Sequence, residues 1–189
     1  LHLSWILLPL AVLGEVFGHV PTLLVSQALA LAGAAYSLSR LGRRHLGDGG
    51  GIALALAWLL HPNLAHVAGA EFHPGSLAVL PLAFGAEALD RRSGPGIALA
   101  TFGVLLCRED LGLVTALLGA LAIGLGAREG DRRLVRHGAA VALVSLAYVL
   151  VFALVLHPMH APRVGSLELH FGRLGSSVTE VAWNAITHP

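Results

Sequence analysis

Lysine is absent from this 189-residue sequence, and all twelve of its basic residues are arginines. Charge of either sign is scarce, at 12 % of residues, against roughly 25 % in an ordinary soluble chain. That shortage excludes a water-soluble globular domain, which must cover its outside with polar groups. A bilayer removes the requirement, because lipid replaces water around the helices. With 56 % hydrophobic residues and a mean hydropathy of +0.75, the sequence predicts an integral membrane protein. Cysteine occurs once, at Cys107. It excludes an internal disulfide and, set in an apolar run, reads as a small buried hydrophobe. Methionine also occurs once, at Met159, so no initiator residue opens the chain. The start lies inside an apolar stretch, Leu1-His2-Leu3-Ser4-Trp5, and the end falls at Thr187-His188-Pro189. The expectation is a piece of a longer protein. The first stretch has neither a basic leader nor a cleavage site and is not read as a signal peptide. A net charge of +1 gives no sign of a nucleic-acid partner. The all-arginine usage, with excess Ala, Gly and Leu, suggests a GC-rich bacterial gene and the bacterial inner membrane.

What is abundant is hydrophobic sequence in runs. A spanning helix needs about 20 apolar residues. Candidates are Val20 to Ser39, Gly51 to Gly69, Pro74 to Leu89, Gly96 to Cys107, Leu111 to Ala127 and Gly138 to Leu156. The predicted fold is an all-α, polytopic helix bundle with about six crossings, a single transmembrane domain over residues 1–189. Residues 1–18 read as an interfacial or partial helix, 20–156 as the bundle, and 157–189 as a tail over the outer face. Within that tail, Ser177 to Ile186 reads as a short amphipathic helix.

Arginines set the orientation. Arg40, Arg43 and Arg44 form one cluster, Arg91 and Arg92 a second, and Arg128, Arg132, Arg133 and Arg136 a third. Basic residues favour the cytoplasm, so the loops at His61 to His73, Arg108 to Asp110 and His157 onward face the other side. Gly96 to Cys107 is short, about 18 Å at 1.5 Å per residue. Two short legs meeting at Arg108-Glu109-Asp110, below the outer surface, keep the third cluster inside. Ala28/Ala32 and Ala116/Ala120/Gly124 place small residues four apart, as close helix contacts require.

On this topology nine of the eleven histidines lie outside: His2, His19, His61, His66, His73, His157, His160, His170 and His188. Only His45 and His137 are cytoplasmic. Such a concentration of polar groups beside a bilayer asks for a reason. In Glu71-Phe72-His73-Pro74, the proline can open a helix at its first position. Glu71 and His73, two apart, point the same way if extended. They read either as a cap and turn or as residues facing a polar cavity. Arg108, Glu109 and Asp110 would fan out on a continuous helix but can converge at a break. They read as a self-neutralising ion pair, or as a phosphate-holding guanidinium beside a carboxylate that takes a hydroxyl, cation or proton. His61-Pro62-Asn63 and His66 interrupt a span near its outer end, as packing residues or as substrate contacts. A divalent-metal site from Glu71, His73, Glu109 and Asp110 is chemically possible, but no ligand spacing signals it. Glu87 and Arg91 read as an i,i+4 pair, and Gln27 as an interhelical hydrogen-bonding group.

Taken in order, these motifs resemble a known family. Glu71 to Pro74, the short span ending in Arg108-Glu109-Asp110, Leu174-Gly175-Ser176-Ser177 with Glu180, and Thr187-His188-Pro189 carry the likeness. His2-Leu3-Ser4 and Gln27 add to it. Along essentially the whole chain the sequence resembles the bacterial predicted-membrane-protein family called domain of unknown function two thousand and seventy-nine. That family is similar in layout to the GT-C glycosyltransferases. The resemblance implies transfer of a sugar from a polyprenyl-phosphate donor on the outer side of the membrane. It also implies a catalytic carboxylate in a first outer loop, which here would lie upstream of Leu1.

Two readings follow. In the first, an enzyme or its remnant uses Glu71, Glu109 or Asp110 as the base on the acceptor hydroxyl. Arg108 stabilises the departing phosphate, and His73, His61 and His66 contact substrate. In the second, the same groups line the outer part of a transport path. A non-catalytic membrane partner is a third. Transport predicts polar groups continuing to the cytoplasmic side, whereas the spans read as apolar apart from Gln27.

Overall fold

A computed structural model describes residues 4–69 and 72–156, and among them the chain is helical with no strand. The elements are α1 (Leu7–Phe17), α2 (His19–Leu59), α3 (Pro62–Gly69), α4 (Pro74–Leu77), α5 (Val79–Asp90), α6 (Gly94–Cys107), α7 (Gly112–Glu129) and α8 (Arg132–Val151). A π-helical turn, Phe152–Leu156, follows α8. Two compact units divide the chain, and His2–Val149 is the larger. The fold class is the all-α transmembrane one expected. His19–Leu59, Gly112–Glu129 and Arg132–Leu156 are long and apolar enough to cross a membrane, while Leu7–Phe17 and Gly94–Cys107 are apolar but shorter. Leu8, Val16, Leu29, Phe102 and Leu143 turn outward, which lipid tolerates and water does not. Glu71 lies outside the described residues, as do His2, His157, His160, His170, His188 and the expected tail helix.

The first arginine cluster marks a reversal of the chain. At Gly47 the backbone takes φ +74°, ψ −176°, so α2 is two helical legs, 19–46 and 48–59. That combination is open essentially to glycine alone. The legs fold onto each other so closely that a Cβ on Gly42 would stand 3.0 Å from Gly50 O. Further along, Trp58 Nε1 donates to Leu31 O at 3.0 Å. The second leg ends at Leu59, and α3 resumes only at Pro62, so the expected span Gly51 to Gly69 is broken at His61. Proline removes a donor and disrupts the preceding turn, which accounts for the break. In the expected span Pro74 to Leu89, Ala78 separates α4 from α5 yet keeps helical angles.

Two buried clusters hold the larger unit together. One joins Leu10, Ala30, Leu77, Ala78, Val104 and Cys107, with Phe72 and Leu111 packed against it. The segment read as interfacial or partial thus contributes α1 to the packed bundle. Ile6 N donates to Leu106 O at 2.9 Å, tying the start of α1 to the end of α6. The other cluster joins Ala88, Ile97, Ala122, Leu134 and Val141.

Helices α7 and α8 meet along small residues, though not the expected ones. Gly112, Thr115, Gly119, Ala122 and Gly126 are buried on α7. A Cβ on Gly119 would stand 2.7 Å from Gly138 O and from Ala142 N. Thr115 and Ser145 share a hydroxyl–hydroxyl bond of 2.8 Å across the seam. Ala120 and Gly124 are exposed, as are Ala28 and Ala32 on α2. In a helix this rich in Ala and Gly, several faces carry small residues four apart, so spacing alone does not select the packed one.

The basic end is stitched by ion pairs. Glu87, 2 % exposed, is primarily the partner of Arg40, whose Nε lies 3.0 Å from it, and only then of Arg91 at 3.5 Å. The i,i+4 pair expected is thus the weaker half of an interhelical network. Asp90 takes Arg44 at 3.2 Å and His45 at 2.7 Å. Arg92 grips Glu129 with Nε and Nη2. That hydrogen bond, and then the charge of Glu129, raises the Arg92 guanidinium above its ordinary pKa. Asp131 Oδ1 accepts from Arg133 N and Leu134 N at 2.9 and 3.1 Å, capping α8.

Candidate functional site

At the opposite end from these arginines, the chain breaks twice side by side. Helix α6 stops because Arg108 turns extended, at φ −157°, ψ 138°. The chain then passes through Glu109 and Asp110 before α7 begins. Beside it, His73 is also extended, at φ −122°, ψ 124°, and Pro74 opens α4 at its first turn, as the sequence suggested. Between these breaks and the Leu59–Pro62 interruption lies a cavity of about 560 Å³. Its polar wall includes His61, Asn63, His73, Arg108 and Asp110, and its apolar wall Trp58, Leu64 and Val79.

Arg108 fixes the character of the site. Its Nε donates to Asp110 Oδ1 at 2.9 Å and its Nη2 to Asp110 Oδ2 at 2.5 Å. This is the bidentate fork that guanidinium offers to carboxylate or phosphate. The self-neutralising pair is therefore the arrangement present. The side chain lies over Gly75, where a Cβ would stand 3.0 Å from Arg108 Cδ. A side chain there would press on the Arg108 side chain and require it to shift by a few tenths of an ångström. Asp110 is exposed, whereas Glu109 is 4 % exposed and does not line the cavity. The three charged residues thus diverge at the break: two share the cavity and the third turns into the protein.

His61 Nδ1 accepts from Asn63 N at 3.3 Å, across the start of α3. That bond leaves the proton on Nε2, so the ring is a donor from its other nitrogen. His73 is exposed at the cavity rim. His66 is also exposed but does not line the cavity. Of the expected site residues, the structure therefore brings together His61, His73, Arg108 and Asp110. It leaves out Glu109 and His66, and Glu71 lies outside the described residues. Among the described residues, no group of three His, Cys, Asp or Glu is placed to hold a metal.

Gln27 holds this region in place. It is 2 % exposed, and its Nε2 donates to Val67 O at 3.0 Å. Its Oε1 accepts from Ser76 Oγ at 2.7 Å and from His73 N at 3.3 Å. One side chain on α2 thereby ties the end of α3 to the start of α4, and so positions both sides of the segment bearing His73. Phe72 anchors the same segment in the apolar core. The sequence marked Gln27 as an interhelical hydrogen-bonding group without naming a partner. Gly75 and Ser76 carried no mark, although Ser76, three residues after His73, stands where a hydroxyl reaches back to a carbonyl.

Depth also matters. Gln27 is 13 residues from Arg40 on one helical leg, about 20 Å at 1.5 Å per residue. His19 is a further eight residues away, about 12 Å. The polar cavity is thus recessed below the α1–α2 turn. Buried hydroxyls at Ser37, Thr101, Thr115 and Ser145 add polar groups to spans that read as apolar. Thr115 and Ser145 bond each other, and none of the four lines the cavity.

The family model described as "Predicted membrane protein (DUF2079)" matches residues 1–189. No curated protein and no solved structure matches.

Proposed function

We propose, for a chain that belongs to the DUF2079 family of predicted membrane proteins, that the recessed cavity binds a polyprenyl-phosphate-linked sugar on the outer face of the bacterial inner membrane. The protein then works as a GT-C-like glycosyltransferase or as the donor-binding part of one. Orientation follows from the three arginine clusters, which favour the cytoplasm and stand at the end opposite the cavity. The observation that carries the reading is the Arg108 fork inside an amphipathic cavity recessed from the end of α2. A phosphate matches the geometry that Asp110 now occupies. Trp58, Leu64 and Val79 offer the isoprenoid an apolar wall.

Binding would exchange partners on Arg108. The donor phosphate takes the guanidinium and releases the Asp110 carboxylate. In the transfer step an acceptor oxygen attacks the anomeric carbon, and the sugar–phosphate bond breaks with its electron pair leaving on phosphate. The acceptor proton passes to a carboxylate, Asp110 or Glu71. Arg108 stabilises the charge that grows on phosphate. His73 and the His61 Nε2–H are donors for sugar hydroxyls. Glu109 and His66, outside the cavity, serve this reading only as supports of its walls.

Transport is the second reading. It would require polar groups continuing from the cavity to the basic end, and the buried hydroxyls of Ser37, Thr101, Thr115 and Ser145 do not line the cavity, which favours the binding-site reading. The test is turnover and binding of a radiolabelled polyprenyl-phosphate hexose by the full-length protein in nanodiscs. Arg108→Ala is expected to cut turnover roughly 100-fold or more, and Glu71→Ala to weaken it. Normal activity in both variants would remove this site assignment.

A further inference from the structure

The basic end carries a second cavity, about 440 Å³, lined by Arg40, Arg43, Arg44, Glu87 and Arg91. Four guanidiniums face one carboxylate there. Glu87 is held by Arg40, whose Nε stands 3.0 Å from Oε1, and by Arg91 at 3.5 Å. Arg44 also touches Asp90 at 3.2 Å, and Arg43 reaches Asp48 only at 3.7 Å. Counting those two acids as well, the cluster keeps an excess of positive charge. All four arginine side chains are between 42 and 55 % exposed, so a ligand can reach them.

Directly beside this cluster runs an apolar groove of about 740 Å³, whose walls include Leu29, Gly33, Leu80, Phe84 and Leu99 from α2, α5 and α6. Two side chains join the features. Tyr36 lines the groove, and the Arg40 guanidinium, one helical turn on, sits 5.7 Å from its ring centre, a cation–π distance. Phe84 also lines the groove, and Glu87 follows three residues later on the same face. An apolar trough in the bundle wall thus ends at a cationic cup, at the depth where the spans give way to charged turns.

We propose that this trough and cup form a binding site for one anionic glycerophospholipid of the leaflet at the arginine-rich end. Its phosphate sits among Arg40, Arg43, Arg44 and Arg91, and an acyl chain lies along Tyr36, Phe84 and Leu99. Charge complementarity selects the occupant. A zwitterionic lipid brings no net charge to the cup, and a free phosphate leaves the groove to bulk lipid. The site is separate from the Arg108 cavity and does not depend on the proposed reaction.

The test uses the full chain, delipidated in detergent and back-titrated with single lipids, with bound lipid counted by native mass spectrometry. Phosphatidylglycerol is expected to bind more tightly than phosphatidylcholine of the same chains. Arg43→Gln and Arg91→Gln should each weaken phosphatidylglycerol roughly fivefold, the worth of about one interfacial basic residue, and leave phosphatidylcholine unchanged. Arg40 stays intact in both, so Glu87 keeps its partner and the fold its ion pair. Glycerol 3-phosphate should fail to displace the lipid. Equal affinity for the two lipids, or a native preference persisting in both variants, would overturn the proposal. Complete displacement by glycerol 3-phosphate would overturn the lipid as occupant and leave an anion site only.

Discussion

Replacing Gln27 by leucine tests whether one buried amide holds the cavity region together. The change keeps much of the volume but removes three hydrogen bonds, to Val67 O, His73 N and Ser76 Oγ, at 3.0, 3.3 and 2.7 Å. Hydrogen bonds between membrane helices average about 0.6 kcal/mol each, so three sum to about 2 kcal/mol. Two of the partners are backbone groups. If no water replaces Gln27 beside them, a further cost of about 1 kcal/mol each brings the loss to about 4 kcal/mol. The assay is equilibrium unfolding in mixed micelles, with amide hydrogen exchange read at His73. The His73 amide should exchange faster, while α7 amides stay protected. Ala28→Leu, one position along and exposed, is the comparison and should fall within about 0.5 kcal/mol of the native chain. A cost for Gln27→Leu no greater than for Ala28→Leu, with unchanged exchange at His73, would refute the latch.

Three other outcomes follow from the same structure. Gly119→Val should destabilise by about 1–3 kcal/mol or more through overpacking, because its Cβ would meet backbone atoms at 2.7 Å. Gly124→Val, with open space around it, should be nearly silent in the same thermal unfolding assay. Arg40→Ala should cost about 3 kcal/mol, since it strips the nearest partner from a buried carboxylate. Arg43→Ala, facing the exposed Asp48, should change the unfolding free energy little. Cysteine labelling from either side of sealed vesicles should find Asn63→Cys and Arg132→Cys on opposite faces. Buried Cys107 gives a low background, and labelling of both from one side would end the topology.

The membrane class was legible because it follows from bulk quantities, the shortage of charge and the length of apolar runs. The arginine clusters foretold the reversal near Gly47 for the same reason, and the α6–α7 break followed from a span too short for its loops. The Arg108 site was legible in part. The sequence offered both an ion pair and a phosphate grip, and the fork on Asp110 is the first of these. It did not say that Glu109 would turn inward while its neighbours faced the cavity, because a helix break leaves side-chain directions to local packing. Glu87 was assigned to its neighbour in sequence, since Arg40 is close only after α2 and α5 pack.

Composition and patterning by themselves determined that this chain is a bundle of helices in lipid, with three arginine clusters on its cytoplasm-favouring turns. Hydropathy and charge act on each segment separately, so they need no knowledge of neighbours. Tertiary structure decided which small-residue face of α7 meets α8, which carboxylate Arg40 neutralises, and which histidines share a cavity with Arg108. Those are matters of contact between segments distant in sequence, and many pairings of similar helices satisfy the same hydropathy. Steric fit at Gly119 and Gly138, and the buried hydrogen bonds of Gln27 and Thr115, select one of them.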